Sequence, residues 1–116
     1  MNVKIIKDIE VFENLPPMVQ NDQLILSLIV RHDDDTYYDL SDYDSMVFNA
    51  KLTNESVLKF TQSCSITAGT SGAATMELTS ANLSSSGVYV GEFSFSSSSE
   101  IRTVNIGKFY VQEEIA

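Results

Sequence analysis

The chain has 116 residues and a formal charge of −9, from seven basic and sixteen acidic side chains. This length predicts one domain, and the 43% share of hydrophobic residues predicts a buried core rather than disorder. The acidic balance argues against a nucleic-acid partner, which needs clustered Lys and Arg, and against an anionic membrane surface. No apolar run approaches the roughly 20 residues that span a bilayer, so we expect no membrane partner.

The predicted elements, taken in chain order, are strands in which every second side chain is apolar. They cover residues 3–12 (as one strand or two), 24–30, 46–52, 57–61, 63–67, 74–78, 89–95 and 101–111. Residues 79–85 are the one segment predicted to form a helical turn, and Gly107 is a predicted bulge or bend in the last strand.

Turn signals rich in Gly, Ser, Asn and Asp separate these strands. Strands and turns at this spacing predict an all-β fold, an Ig-like antiparallel β-sandwich of about seven to eight strands. The segment 1–15 is interpreted as an N-terminal strand or arm used in assembly. The segment 16–116 is interpreted as the Ig-like domain.

The chain carries one cysteine, Cys64, and one histidine, His32. An intrachain disulfide is therefore impossible, and a zinc site of cysteine and histidine would lack ligands. Cys64 has no basic neighbour in sequence, and no Gly-x-Ser-x-Gly nucleophile motif accompanies His32. The charged start of the chain does not match a secretory leader. These features predict a soluble, non-enzymatic protein without cofactors, made in a reducing cytoplasm.

Residues Ser86, Gly87 and Tyr89 form the most specific local pattern, at the start of a predicted strand. A small polar residue, a glycine and then a tyrosine resemble the tyrosine corner of Ig-type sandwiches, whose phenol bonds to upstream backbone. Antibody domains carry a cysteine two residues after that tyrosine, where this chain has Gly91. The chain also has no tryptophan. The predicted sandwich is therefore disulfide-free.

Six aspartates fall between positions 33 and 44 without an intervening Lys or Arg. Asp33, Asp35 and Asp39 are the candidate ligands for a Ca²⁺ ion, which prefers six to eight oxygens. Their spacing does not match an EF-hand loop, and Asx turns explain isolated aspartates without a metal. We therefore favour a solvated turn and predict no metal.

Two groups of residues are candidate interfaces. In the N-terminal segment they are the apolar residues Val3, Ile5, Ile9, Val11 and Phe12, which could add to the sheet of a neighbouring subunit. In the acidic loop they are Tyr37 and Tyr38, because tyrosines beside carboxylates are common in protein interfaces and carbohydrate sites. The alternative for Tyr38 is that it pins the loop to the core.

The order of three segments resembles a known family. Residues 38–41 read Tyr-Asp-Leu-Ser, residues 47–52 read Val-Phe-Asn-Ala-Lys-Leu, and residues 86–93 read Ser-Gly-Val-Tyr-Val-Gly-Glu-Phe. This order resembles the N-terminal Ig-like domain of phage baseplate upper proteins and related phage tail or head-fibre modules. There a D-L-(S/T) step precedes a V-x-F-x-(M/A) strand, and an (A/S)-G-x-Y-x-x-E-F strand follows. The resemblance covers residues 24–111.

The resemblance implies a virion structural protein, located in the phage particle and made in the host cytoplasm. It would dock on a capsid or a tail baseplate, as a decoration or fibre-anchoring module. Its partners would be other virion proteins and further copies of itself. The alternative function is a carbohydrate- or host-surface-binding adhesion module that uses the tyrosines and the aspartates.

Overall fold

The computed structural model describes residues 1–115 and shows an all-β protein, as the alternation of apolar residues predicts. Its nine strands are β1 (Asn2–Lys7), β2 (Glu10–Phe12), β3 (Met18–Val19), β4 (Leu24–Arg31), β5 (Ser45–Leu52), β6 (Phe60–Ala68), β7 (Ala73–Leu78), β8 (Gly87–Ser96) and β9 (Ile101–Gln112). A short 3-10 turn, Gly69–Ser71, connects β6 to β7, and residues 1–115 contain no α-helix.

The strands form one mixed sheet in the order β2-β1-β4-β7-β6-β5-β8-β9-β3, curled into a half-barrel. All neighbours are antiparallel except β3 and β9, which run parallel. Two separate sheets of a sandwich are not distinguished, because β6 pairs with β5 on one side and with β7 on the other. The strand expected at 63–67 lies within β6, whereas only residues 60 and 61 of the segment 57–61 belong to it. The strand β3 is an element that the sequence pattern did not indicate.

The concave face of the sheet holds the core, and alternate residues of each long strand contribute to it. In β4 these are Leu26, Leu28 and Val30, and in β8 they include Tyr89, Phe93 and Phe95. Each of these side chains is at most 1% exposed. Period-two alternation therefore places the apolar side chains on one face, and the curl of the sheet closes that face against itself.

Gly107 forms the bulge that the sequence predicts in β9. Its φ of +78° is a left-handed conformation, and the register with β8 shifts here, since Gly91 pairs with Gly107 but Glu92 pairs with Asn105. The extra residue keeps Val104 and Ile106 on the core side before the bulge and restores the same side to Phe109 after it. Without the bulge, half of β9 would turn its apolar face to solvent.

The N-terminal segment is part of this sheet. β1 pairs with β4 over five residues, and Val3 and Ile5 of β1 are 2% and 0% exposed. For these two residues the expectation of an exposed interface is corrected, because their side chains fill the core. Leu15 is buried as well, so the segment 1–15 shares one core with the rest of the chain.

Tyr89 makes the hydrogen bond that the tyrosine-corner pattern predicts, because its hydroxyl donates to the Ser85 carbonyl oxygen at 2.6 Å. Tyr89 is 0% exposed, and its ring stacks on that of Phe109 with 5.1 Å between the centroids. Gly87 begins the strand at a φ of +146°, a conformation that favours glycine. The hydrogen bond therefore ties the loop before β8 to the strand itself.

Replacing Tyr89 by Phe is expected to lower the free energy of unfolding by about 1.5 kcal/mol, because the Ser85 carbonyl loses its phenol donor. Denaturant titration measures the change. The control is Tyr110→Phe on the exposed side of β9, where the side chain is 51% exposed and the expected change is below about 0.5 kcal/mol. Equal stability of the two variants would contradict a structural role for the Tyr89 hydroxyl.

Candidate functional site

Two loops meet at one end of the sheet and enclose a polar cleft. The loop between β4 and β5 contacts the hairpin between β8 and β9, where the Asp44 amide donates to the Ser96 carbonyl at 2.8 Å. The cleft has a volume of about 190 Å³. Its lining consists of two tyrosines, a histidine and three carboxylates: His32, Tyr38, Asp39, Asp42, Tyr43 and Glu100. We call these six residues the loop-end cleft.

A row of aromatic rings forms one wall of the loop-end cleft. The ring of His32 lies 4.7 Å from that of Tyr38, and the ring of Tyr38 lies 6.4 Å from that of Tyr43, measured between centroids. The hydroxyls of Tyr38 and Tyr43 are 3.3 Å apart, and the Tyr43 hydroxyl donates to Oε1 of Glu100 at 2.8 Å. The wall thus combines aromatic rings with hydroxyls and carboxylates.

The chemistry of Tyr43 follows from its surroundings. Burial, and then the hydrogen bonds with Tyr38 and Glu100, raise its pKa well above the ordinary value for tyrosine. Tyr43 therefore remains a neutral donor at physiological pH. Such a wall can stack on an apolar face of a ligand and accept hydrogen bonds from its hydroxyls or charged amines.

Of the two predicted tyrosines, only Tyr38 belongs to this cleft. It is half-buried and packs against the core, as the alternative of a residue that pins the loop expects, and it also lines the cleft. Tyr37 points elsewhere: its ring is 58% exposed, and the Arg31 guanidinium lies over it at 5.4 Å from the centroid. The adjacent tyrosines are thus divided between two surfaces.

The aspartates proposed as Ca²⁺ ligands have local partners. Asp33 accepts a hydrogen bond from the N-terminal amine of Met1 at 2.6 Å, and Asp39 accepts one from the Ser41 amide at 2.9 Å. Asp35 occupies a left-handed turn position at a φ of +68°. Among residues 1–115 no three His, Cys, Asp or Glu side chains are grouped as metal ligands. The three aspartates therefore do not form one group of metal ligands.

Hydrogen bonds within Asx turns lower the pKa of two aspartates in this loop. The Thr36 hydroxyl and amide both donate to Oδ1 of Asp34, at 2.6 and 3.1 Å. These hydrogen bonds lower the pKa of Asp34, and the Ser41 donors lower that of Asp39. The hydrogen bonds of these two exposed carboxylates hold the shape of the loop. Because their pKa is lowered, both carboxylates are negatively charged at neutral pH.

Cys64 lies on β6, away from the cleft in the sheet order, and its thiol is half-buried. Burial raises the pKa of this thiol to about 12. At neutral pH it is therefore protonated and is a poor nucleophile.

We expect Cys64 to react with a disulfide reagent at pH 8 about a thousand times more slowly in the folded chain than in denaturant, because so little of it is thiolate. Absorbance of the released thiol measures the rate. Cys64→Ser provides the blank. Equal rates in the two states would show that burial does not control this thiol.

A second candidate surface is the hairpin of β1 and β2, at one edge of the sheet. Ile9 at its tip is 96% exposed, and Val11 is 61% exposed, while Phe12 is half-buried against the core. Since Lys7 pairs with Glu10 across a two-residue turn, the backbone N–H and C=O of Val11 point away from β1. We call Ile9 and Val11, with this outward backbone, the β2 edge.

Comparison with known proteins does not identify this all-β chain: no family model matches it, and no curated protein matches it. Among residues 1–115 the structure also shows no helix that is both long and apolar enough to cross a membrane. Sequence reasoning did not propose Tyr43 or Glu100, whose side chains are hydrogen-bonded across 57 positions of the chain. Only the pairing of the two loops brings them together, and no local pattern indicates it.

Proposed function

We propose that the protein is a non-enzymatic structural module of a bacteriophage virion. It docks on the capsid or on the tail baseplate, as a decoration or fibre-anchoring protein, and associates with other virion proteins and with its own copies. The observation that carries the proposal is the β2 edge, because an edge strand with one unpaired side and exposed apolar side chains is a docking site for another sheet.

The strand pairings support an Ig-like sandwich as the fold of this module. β1, β4 and β7 are neighbours, as are β5, β8 and β9, and the short β3 runs parallel to β9. A sandwich would hold these two groups face to face, with β6, which pairs with β5 and β7, joining them. The contact of Tyr89 with Ser85 has the form of a tyrosine corner in the same fold.

The edge itself is suited to strand addition. Glu10 and Phe12 direct their backbone groups to β1, and Val11 directs its own to solvent. Ile9 and Val11 add apolar surface beside these groups, which is a liability in solution unless a partner covers it. A partner strand would satisfy the backbone and cover the side chains together.

The side-chain chemistry supports a binding role rather than catalysis. The single thiol is protonated at neutral pH because burial raises its pKa to about 12. The carboxylates Asp34 and Asp39 accept hydrogen bonds within their own loop and remain ionised. These groups can bind a partner but do not form an activated nucleophile with a base.

The proposal is tested with phage particles produced from the genome that encodes this chain. We expect the protein in purified particles, and additional density for it on the capsid or baseplate by electron microscopy. A chain with Ile9→Ser and Val11→Thr is expected to melt within about 2 °C of the natural chain, since both side chains are exposed, and to be lost from the particles.

The matched control is Ile101→Ser, an exposed residue (73%) at the start of β9, which should leave incorporation unchanged. Absence of the natural chain from particles would overturn the virion role. Normal incorporation of the Ile9→Ser, Val11→Thr chain would overturn docking through the β2 edge.

The loop-end cleft favours a second candidate function, an adhesion module that binds a carbohydrate. Its ring faces and its carboxylates are the groups that stack on a sugar and accept its hydroxyls. The test is binding to a glycan array. Tyr38→Ala should abolish binding, and Tyr37→Ala should not, because Tyr37 does not line the cleft. An array without any bound glycan would eliminate this candidate.

A further inference from the structure

We propose that copies of this chain associate head to tail. The acidic loop between β4 and β5 of one copy, with Tyr37 exposed on it, docks in a lysine-flanked depression on the outer face of β5, β8 and β9 of the next copy. This inference goes beyond docking on a virion, and its surface is separate from the β2 edge.

The pairing register of β5, β8 and β9 places two lysines beside the depression. Lys51 pairs with Val90, and Val90 pairs with Lys108, so these three residues stand in a row across β5, β8 and β9. The side chain of Leu58 forms part of the same wall. Gly91, beside Val90 on β8, also lines the depression. The depression measures about 170 Å³.

The charge of this face is opposite to that of the chain as a whole. Lys51, Lys59 and Lys108 are three of the seven basic residues in a chain of charge −9. Lys59 follows Leu58 directly in the sequence and is exposed. Glu92, which also lines the depression, is the one acidic residue among its lining residues. A partner with apolar and acidic groups would therefore match both the lining and the charge.

The chain itself offers such a partner in its acidic loop. Tyr37 is 58% exposed there, and the Arg31 guanidinium over its ring holds the ring in place. Asp34 and Asp35 precede it, and Asp39 follows it within two residues. The ring of Tyr37 can enter the depression while these carboxylates meet Lys51 and Lys108.

The contact has to be made between copies. The acidic loop joins β8 at Ser96, since the Asp44 amide bonds to the Ser96 carbonyl. Val90, in the depression, lies six residues earlier along the same strand (96 − 90), about 20 Å away. Because one copy then presents two different surfaces, association is heterologous and builds rings or open chains.

The test uses sedimentation velocity on the natural chain and on two chains with altered charge. The natural chain should associate at low salt and weaken at least about tenfold at 0.5 M NaCl, where the Debye length is about 4 Å. The first variant, Lys51→Glu with Lys108→Glu, has an acidic depression. The second, Asp34→Lys with Asp35→Lys, changes the two carboxylates that precede Tyr37 and has a less acidic loop. Each should be monomeric alone.

Mixing the two variants should restore pairing, because the unaltered acidic loop of the first variant can dock in the unaltered depression of the second. This rescue separates loss of contact from loss of folding. Tyr37→Ala should weaken association at least about tenfold, and Ile25→Ser, exposed on β4, should not change it. A monomeric natural chain at low salt, or an equimolar mixture without rescue, would overturn the proposal, and the virion role would remain to be judged by its own test.

Discussion

Gly91→Val is expected to lower the free energy of unfolding by about 3 kcal/mol, the upper range for overpacking a core. A Cβ at this position would lie 2.6 Å from Cζ and 2.7 Å from Cε1 of Phe48. It would also lie 3.2 Å from Cε1 of Phe109. Phe48 cannot move away easily, because its ring is 0% exposed and lies 4.9 Å from that of Phe93, between centroids.

Denaturant titration of Gly91→Val, alone and combined with Phe48→Leu, measures this effect. Phe48→Leu removes the ring edge that a Cβ would meet, so the cost of Gly91→Val should fall by more than about 1 kcal/mol in that background. Val88→Ala, on the opposite face of β8, is the control for a change of size in the same strand. Additive effects of the two substitutions would show that Phe48 is not what excludes a side chain at position 91.

This glycine also explains how the core dispenses with a disulfide. Antibody domains carry a cysteine two residues after the corner tyrosine. At that position of this chain Gly91 leaves room for the ring of Phe48. The rings of Phe60, Phe93 and Phe109 lie within 6.0 Å of that ring, between centroids. An aromatic cluster therefore occupies the centre of the sheet, where aromatic pairs stabilise beyond their buried area.

Deletion of residues 1–12 is expected to abolish cooperative folding. The deletion removes β1 and β2, withdraws Val3 and Ile5 from the core and leaves β4 without its partner on that side. Ile5→Ala alone should lower the free energy of unfolding by about 3 kcal/mol, as for other buried isoleucines. Losing two such side chains together with β1 and β2 costs more free energy than the stability of most domains provides.

Circular dichroism and thermal melting measure the effect. The control is the Ile9→Ser, Val11→Thr chain, which changes the same segment only at its exposed side chains and should melt like the natural chain. A sharp melting transition of the deleted chain would show that the remaining strands form a stable core without β1. The sequence alone predicts that the deleted chain still folds, because its pattern indicates an arm at residues 1–15 outside the domain.

The difference lies in the kind of information that each element carries. In β5 and β8 the alternation of apolar and polar residues is complete within one strand, so strand identity and the inward face could be read locally. The bulge at Gly107 could be predicted for the same reason, because a glycine within a strand pattern is a local signal. The N-terminal segment has a similar pattern, but whether Val3 and Ile5 meet their own chain or a neighbour depends on β4, more than 20 positions away.

The candidate sites show the same limit. Tyr38 was a candidate from its type and its acidic neighbours, yet its separation from Tyr37 follows from the contact of Arg31 with Tyr37. The contact of Glu100 with Tyr43 could not be predicted, because no sequence pattern near position 100 indicates that this residue lies next to position 43. The aspartates of the loop were visible in sequence, but only the structure shows that Asp33, Asp35 and Asp39 do not form one group of metal ligands.

By itself, then, the sequence determined the all-β class, the absence of a disulfide and the acidic character of one loop, because composition and period-two alternation are local properties. Only the tertiary structure decided that nine strands join in one curled sheet, that β1 belongs to the core and that Glu100 completes the loop-end cleft. These outcomes depend on pairings between strands distant in sequence, whose free energy comes from burial of a shared face.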